Sequence, residues 1–306
     1  MKTSITSIAK LAGGLTLMAA SSFASASVLN TAHNLGTTNT AGGAVFSGTT
    51  EICIFCHTPH GGDQSVAAPI WNRAVSTTGV YTRFSAMNRI TFDADEAPIG
   101  SVSIACLSCH DGTQARDAVI NAPGSNSTPM SGTWMDGTNT ATSFLSTLTA
   151  SDNGVTGDMI YLGTDLRNDH PISMQYGGGG ITATTTTTRD PDFAQGGTGT
   201  GGFGLTATSH ATTSTNNING VGTGLVVYQA SIANGNAAGK WYVDTGGVGY
   251  QGTDFPLYTR TDGLSGTPQP YVECATCHDP HSANSTFLRL PGGNTGSQVC
   301  LTCHAK

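Results

Sequence analysis

Apolar residues along this chain seldom run further than a few positions before Gly, Pro, Asn or Thr interrupts them. The stretch APIWNRAV, Ala68 to Val75, is typical. Such punctuation predicts short helices and turns rather than long amphipathic helices. Two runs read as strands because they join β-branched and aromatic residues: GLVVYQA, Gly224 to Ala230, and KWYVD, Lys240 to Asp244. A small β-subdomain is therefore expected within residues 225–270. One other apolar run stands apart. Leu11 to Ala20 follows Lys2 and Lys10 and precedes the small residues Ala24-Ser25-Ala26. That order is the pattern of a secretory signal over residues 1–26, cleaved after Ala26. The run is too short for the roughly 20 residues that cross a bilayer. The expectation is an exported protein without a membrane span.

Composition sharpens the division. From Gly177 to Gly224, 27 of 48 residues are Gly or Thr, and only Arg189, Asp190 and Asp192 are charged. Such a segment buries little apolar surface itself. It reads as a surface insertion of loops and short hairpins over 176–270, between a module at 27–175 and another at 271–306. Its many Thr and Ser residues suit glycan attachment. The chain holds 12 basic residues against 19 acidic ones, a net charge of −7, and the basic side falls further once Lys2 and Lys10 are removed. Nucleic acid requires clustered Lys and Arg, so it is excluded as a partner.

The eight cysteines form four C-x-x-C pairs: Cys53/Cys56, Cys106/Cys109, Cys274/Cys277 and Cys300/Cys303. Histidine follows each pair at once, as His57, His110, His278 and His304. C-x-x-C-H is the attachment sequence for c-type haem. Two thiols two residues apart reach the two vinyl groups on one porphyrin edge, and the next residue brings an imidazole to the iron. Two zinc sites of four thiolates or local disulfides would use the cysteines. Neither explains the four histidines. Four haem c groups are expected, 1 and 2 in the first module and 3 and 4 in the second. Their apolar faces would offset a hydrophobic content of only 37%. The fold expected is mostly irregular, with short helices around stacked haems, and Trp71, Tyr81, Phe84, Leu107 and Phe287 packing on them.

Each iron takes a second axial ligand. The remaining histidines are His33, His60, His170, His210 and His281, five for four positions. Met174, near His170, is the one methionine worth weighing, and such a ligand raises the potential. Since histidine supply meets demand, bis-histidine irons of low potential are expected, with His33, His60, His170 and His281 as distal ligands. His210 lies in the polar tract ATSHATTST and reads as solvated. His60 and His281 occupy equivalent places in CIFCHTPH and CATCHDPH. Two histidines on opposite faces of one iron have Cα atoms about 12–13 Å apart, with metal–nitrogen bonds near 2 Å. Three residues span at most about 10–11 Å. Neither trailing histidine can therefore complete its own motif's haem, and each is expected to serve a neighbouring one.

CIFCHTPHGG, the PIWNR that follows, CLSCHDGT, LGTDLRNDHPIS and CATCHDPHS with CLTCH together resemble exported multihaem cytochromes with doubled C-x-x-C-H motifs, and among them OmcE-type extracellular tetrahaem cytochromes. The resemblance covers most of 28–175 and 271–306 and leaves out the Gly/Thr-rich insertion. It implies a homopolymer that carries electrons outside the cell, with one distal histidine donated by the adjacent subunit. His33 is the first expected donor and His281 the second. The resemblance also implies that the insertion decorates the filament exterior. A redox protein or an extracellular acceptor would be the partner.

Two alternatives stand beside the filament: a discrete periplasmic tetrahaem carrier, and a multihaem reductase. An enzyme needs an iron with an open or exchangeable position. Five histidines for four positions, and four intact motifs, argue against catalysis and for electron transfer without a catalytic residue.

Overall fold

The structure is a computed structural model that describes residues 27–41, 44–75, 81–87, 94–123, 130–135, 161–181, 188–194, 225–229, 240–245 and 250–304. The expected signal segment, His210 and most of the Gly/Thr-rich tract lie outside the described residues.

Helices among the described residues are short and three of the four motifs ride on them. Helix α1, Ser103–His110, is the longest and carries the second motif. Its sequence SIACLSCH contains no Gly or Pro, and its buried face includes Ala105 and Leu107. It ends where the Asp111 N–H bonds the Leu107 carbonyl at 3.0 Å and Gly112 turns left-handed at φ 73°, the geometry glycine supplies after a helix. Helix α2, Cys274–Cys277, and helix α3, Gln298–Cys303, carry the third and fourth motifs. The first motif is a single 3-10 turn, Cys53–Phe55. No described helix is long and apolar enough to cross a membrane.

The strands fall in two sheets. The pair β1, Val45–Phe46, and β2, Trp134–Met135, is antiparallel. It brings Phe46 and Trp134 together with Phe55, the residue before Cys56, in a cluster with Leu35, Val119 and Met130. The second sheet holds β3, Met174–Gln175; β4, Leu225–Gln229; β5, Lys240–Asp244; β6, Phe255–Arg260; and β7, Gln269–Val272. Its order is β3-β7-β6-β5-β4, antiparallel throughout. Strands β4 to β7 form a meander. Strand β3 comes from earlier in the chain and caps the far edge by pairing with β7.

This sheet is not a decoration remote from the motifs. Its buried side chains Trp241, Val243, Phe255 and Leu257 pack with Tyr176, Ile181, Ala194 and Leu290, and Cys277, Val299 and Cys303 lie against that core. The link from β3 to Ile181 runs through Gly177 to Gly180, all at positive φ between 54° and 92°, a path only glycine follows without strain. Strand β7 then leads through Glu273 straight into α2.

Candidate haem-attachment sites

Each motif is a helical turn that closes on its own histidine. The His57 N–H bonds the Cys53 carbonyl at 2.7 Å, His278 bonds Cys274 at 3.1 Å and His304 bonds Cys300 at 2.9 Å. The residue before the second cysteine is a fully buried hydroxyl in three motifs, Ser108, Thr276 and Thr302. Ser108 Oγ donates to the Ala105 carbonyl at 2.6 Å and Thr302 Oγ1 to the Gln298 carbonyl at 2.8 Å. Thr276 Oγ1 instead accepts the Glu273 N–H at 3.0 Å and, with the Glu273 side chain, makes a capping box. These bonds satisfy groups that a short helix would otherwise leave unpaired.

All eight cysteines are free thiols. They follow one another through space in chain order. Cys56 lies near Cys109, and that neighbour together with burial pushes the Cys56 thiol up to about 12, burial being the larger cause. The Cys106 thiol donates a hydrogen bond to Cys274, which raises the one and lowers the other. Burial, then Cys274 and Cys300, push Cys277 up to about 12. Cys303 is raised by burial and by Cys277 and Cys300. Among the described residues, no three His, Cys, Asp or Glu side chains converge on a point suited to a single metal ion.

The imidazoles are set for a ligand at Nε2. Nδ1 of His57 faces the Pro69 carbonyl at 2.8 Å, and Nδ1 of His278 faces the Thr286 carbonyl at 2.8 Å. Nδ1 of His170 and of His33 face the carbonyls of Pro171 and Pro280 at 3.0 and 3.4 Å. A carbonyl only accepts, so Nδ1 carries the proton and Nε2 keeps its lone pair. This arrangement orients metal-bound histidines generally.

Two of the motif histidines have a second imidazole beside them, and a third has one within electrostatic reach. His57 and His281 lie with ring centroids 6.0 Å apart and planes 18° apart. His110 and His33 lie 6.4 Å apart at 65°. An iron bound by two imidazoles, with bonds of about 2 Å each, sets the centroids on the order of 6 Å apart, so both pairs fit the group. His170 and His278 are electrostatic neighbours: the His170 pKa is lowered, first by desolvation and then by the His278 charge. His33 is lowered to about 4, chiefly by burial and next by His110, so it is neutral at physiological pH. Its ring also stacks on Phe287 at 4.0 Å and 14°. Trp71 adds a fitting donor. Its ring meets His57 edge-on at 6.0 Å, and its buried indole N–H has no acceptor among the described residues.

The remaining candidates are placed differently. His304 pairs in a β-bridge with Phe193, whose ring is 4.5 Å away. His60 is exposed, and only its carbonyl is held, by Thr58 Oγ1 at 3.0 Å and Asn121 Nδ2 at 2.8 Å. Met174 is buried in β3 opposite Val272. Of the expected packing residues, Trp71 and Leu107 are buried, while Tyr81, Phe84 and Phe287 are partly so.

Two buried polar groups escaped the sequence reading. Asn72 and Arg73 sit in the PIWNR stretch after the first motif and bond the first and second motifs respectively. Glu273, immediately before Cys274, accepts from Ser103 Oγ at 2.5 Å, from Ser173 Oγ at 3.2 Å and from Arg260 at 2.8 Å. The signal available was Glu273, a charged residue next to Cys274 in an otherwise charge-poor chain.

Residues 269–306 match the family described as the doubled CXXCH motif. The match covers the third and fourth motifs and marks c-type haem attachment, the chemistry of an electron-transfer protein. No curated protein matches the chain.

Proposed function

We propose that this chain holds four c-type haems, one at each motif, and carries electrons as the repeating subunit of an extracellular filament. The observation that supports this most directly is the unbroken succession of thiol neighbours from Cys56 and Cys109, through Cys106 and Cys274, to Cys277 with Cys300 and Cys303. Attachment points within electrostatic reach of one another leave little insulating protein between consecutive sites. When bound, c-type haem supplies a reversible one-electron iron couple.

The chain's part is to fix and orient. Cys53/Cys56, Cys106/Cys109, Cys274/Cys277 and Cys300/Cys303 form the thioether bonds. His57 with His281, His110 with His33, and His278 with His170 are the imidazole pairs, and His304 serves the fourth motif. His60 is the donor to a neighbouring copy, because its exposed ring is presented while its backbone is pinned by Thr58 and Asn121. It takes the cross-subunit role expected for His33, whose ring lies beside His110 of its own chain. The same holds for His281, which lies beside His57.

The test is haem content and assembly of the exported protein. Four haems per chain and uniform filaments by electron microscopy are expected. His60→Ala should leave dispersed chains with one high-spin haem each. Fewer than four haems, or filaments of His60→Ala with an all-low-spin spectrum, would overturn the corresponding part. Dispersed wild-type chains with four haems would instead overturn the filament and leave a discrete tetrahaem carrier.

A further inference from the structure

Adjacent residues Asn72 and Arg73 hold the first two motifs against each other. The Asn72 N–H bonds the Cys56 carbonyl at 2.9 Å, and its side-chain amide bonds the Ile54 carbonyl at 2.6 Å, between the two cysteines of the first motif. Arg73 turns the other way. Its Nη2 donates to the Ser108 carbonyl at 3.0 Å and its Nε to Ser108 Oγ at 3.2 Å. Ser108 lies between the two cysteines of the second motif. The guanidinium also donates to the carbonyls of Arg116 at 2.7 Å and Ala115 at 2.8 Å.

Arg73 is fully buried. Its four hydrogen bonds engage all three nitrogens, yet every acceptor is neutral. The contrast with a second buried cation between motifs is direct. Arg260, between the second and third motifs, meets the carboxylates of Glu273 at 2.8 Å and Asp262 at 2.6 Å. Buried charge is screened far less than surface charge. A uniform hydrogen-bond shell of carbonyls stabilises a guanidinium without cancelling its charge. The buried carboxylate Asp111 carries a charge too, but it bonds Tyr81 and Thr113, and among the described residues no ion pair joins it to Arg73.

We infer that Arg73 is a potential-setting residue: its buried charge, bonded by no carboxylate among the described residues, raises the reduction potentials at the first two sites above that of the third, giving the row of sites an electrical direction. The inference rests on the haem reading above. Reduction adds one electron to the iron, so a fixed cation nearby favours the reduced form. The third site also has a guanidinium on a motif carbonyl, Arg289 on Ala275 at 2.9 Å, but there each cation has a carboxylate: Asp279 at 3.9 Å from Arg289, and Glu273 with Arg260. Electrons would then settle toward the Cys53–His110 end. A unit charge on the order of 10 Å from a redox centre, at an effective dielectric of about 20, shifts a one-electron equilibrium by about tenfold, which is about 59 mV.

The test is a site-assigned potentiometric titration of the haem-loaded protein, wild type, Arg73→Lys and Arg73→Gln. Haem content and low-spin spectra are measured first, and absence of haem from the wild-type motifs would sink the underlying reading rather than this step. With haem present, Arg73→Gln should lower the reduced-to-oxidised ratio at the second site about tenfold at fixed potential. Arg73→Lys should keep most of the shift, and the fourth site should not move. Unchanged potentials in Arg73→Gln, or an equal fall in Arg73→Lys, would overturn the inference by leaving Arg73 a merely structural role. Should Arg73→Gln fail to load haem, the wild type still decides. The second site must titrate above the third, and the reverse order excludes the proposal.

Discussion

The two copies of C-x-x-C-H-x-P-H, at residues 53–60 and 274–281, differ in what surrounds them and in where their last histidine goes. The first copy is a 3-10 turn held by side-chain hydrogen bonds from Asn72 and by the cluster of Phe46, Phe55 and Trp134. The second is an α-helical turn fed directly by strand β7 and capped by Glu273 and Thr276. His281 ends beside His57, in the other copy. His60 ends exposed, with only its carbonyl held. Both rings are exposed, yet identical local spacing sets one beside a motif histidine and leaves the other without one among the described residues. What decides is the packing of the flanking chain: the second copy is laid across the first, and nothing reciprocal is laid across His60 among the described residues.

The sharpest way to break this comparison is to remove each trailing histidine in turn. His281→Ala should convert the haem at Cys53 and Cys56 from six-coordinate low spin to high spin, visible by electron paramagnetic resonance in dispersed protein. His60→Ala should leave that haem unchanged. Equal loss at the first site from both variants would mean that the two copies are equivalent after all.

The next effect is on stability at the second copy. Glu273→Ala leaves Arg260 without its buried carboxylate partner and strips the acceptor from Ser103 and Ser173. Removing one partner of a buried ion pair costs about 3–5 kcal/mol. Asp262, half exposed beside Arg260, retains part of the compensation, so the lower end of that range is expected in chemical denaturation. A change within about 0.5 kcal/mol, the ordinary surface value, would show that the network is dispensable.

How far these differences were legible from residue order depends on range. C-x-x-C-H is a local pattern, and each motif is a turn whose shape follows from four or five consecutive residues. Strands β4 and β5 were legible through Val226, Val227, Trp241 and Val243. Strands β6 and β7 carry Pro256 and Pro270, which mask a strand signature. Strand β3 is only two residues long and exists because β7 offers it an edge. The direction of the trailing histidines was legible only as a reach limit: each must serve another site. Which one requires tertiary structure. Asn72 and Arg73 were illegible in role because their acceptors are backbone carbonyls, which leave no mark on the sequence.

At the first copy, Asn72→Ala is the counterpart of Glu273→Ala. It removes bonds to the Ile54 and Asn121 carbonyls and the acceptor of the Asn121 N–H at 2.9 Å. No charge is stranded, so the expected loss is smaller, about 2 kcal/mol, read from the denaturation midpoint. A loss as large as that of Glu273→Ala would erase the distinction between a neutral and an ionic staple.

The smallest effect separates the halves by pH. Asp254, buried just before β6, accepts bonds from the N–H groups of Thr245 at 2.8 Å and Gln251 at 2.7 Å. Burial nevertheless raises its pKa to about 6, with Asp244 adding to the rise. A carboxyl that holds its proton more tightly when folded stabilises the fold below the ordinary carboxylate pKa of about 3.9. That contribution is lost as pH rises through about 6. Asp254→Asn should therefore remove a decline on the order of 2 kcal/mol between pH 4 and 6, measured as the difference between variant and wild-type denaturation curves. The difference should track the sheet-side core alone, because Asp254 lies beside Phe255 of that core and not among the residues around the first motif. Hydrogen exchange makes the assignment: amides of β5 and β6 should lose protection in the wild type as pH rises, after correction for intrinsic exchange, while those of α1 hold theirs. Parallel loss in both would mean that the sheet and the first two motifs unfold as one unit, and the two halves would then differ in chemistry but not in cooperativity.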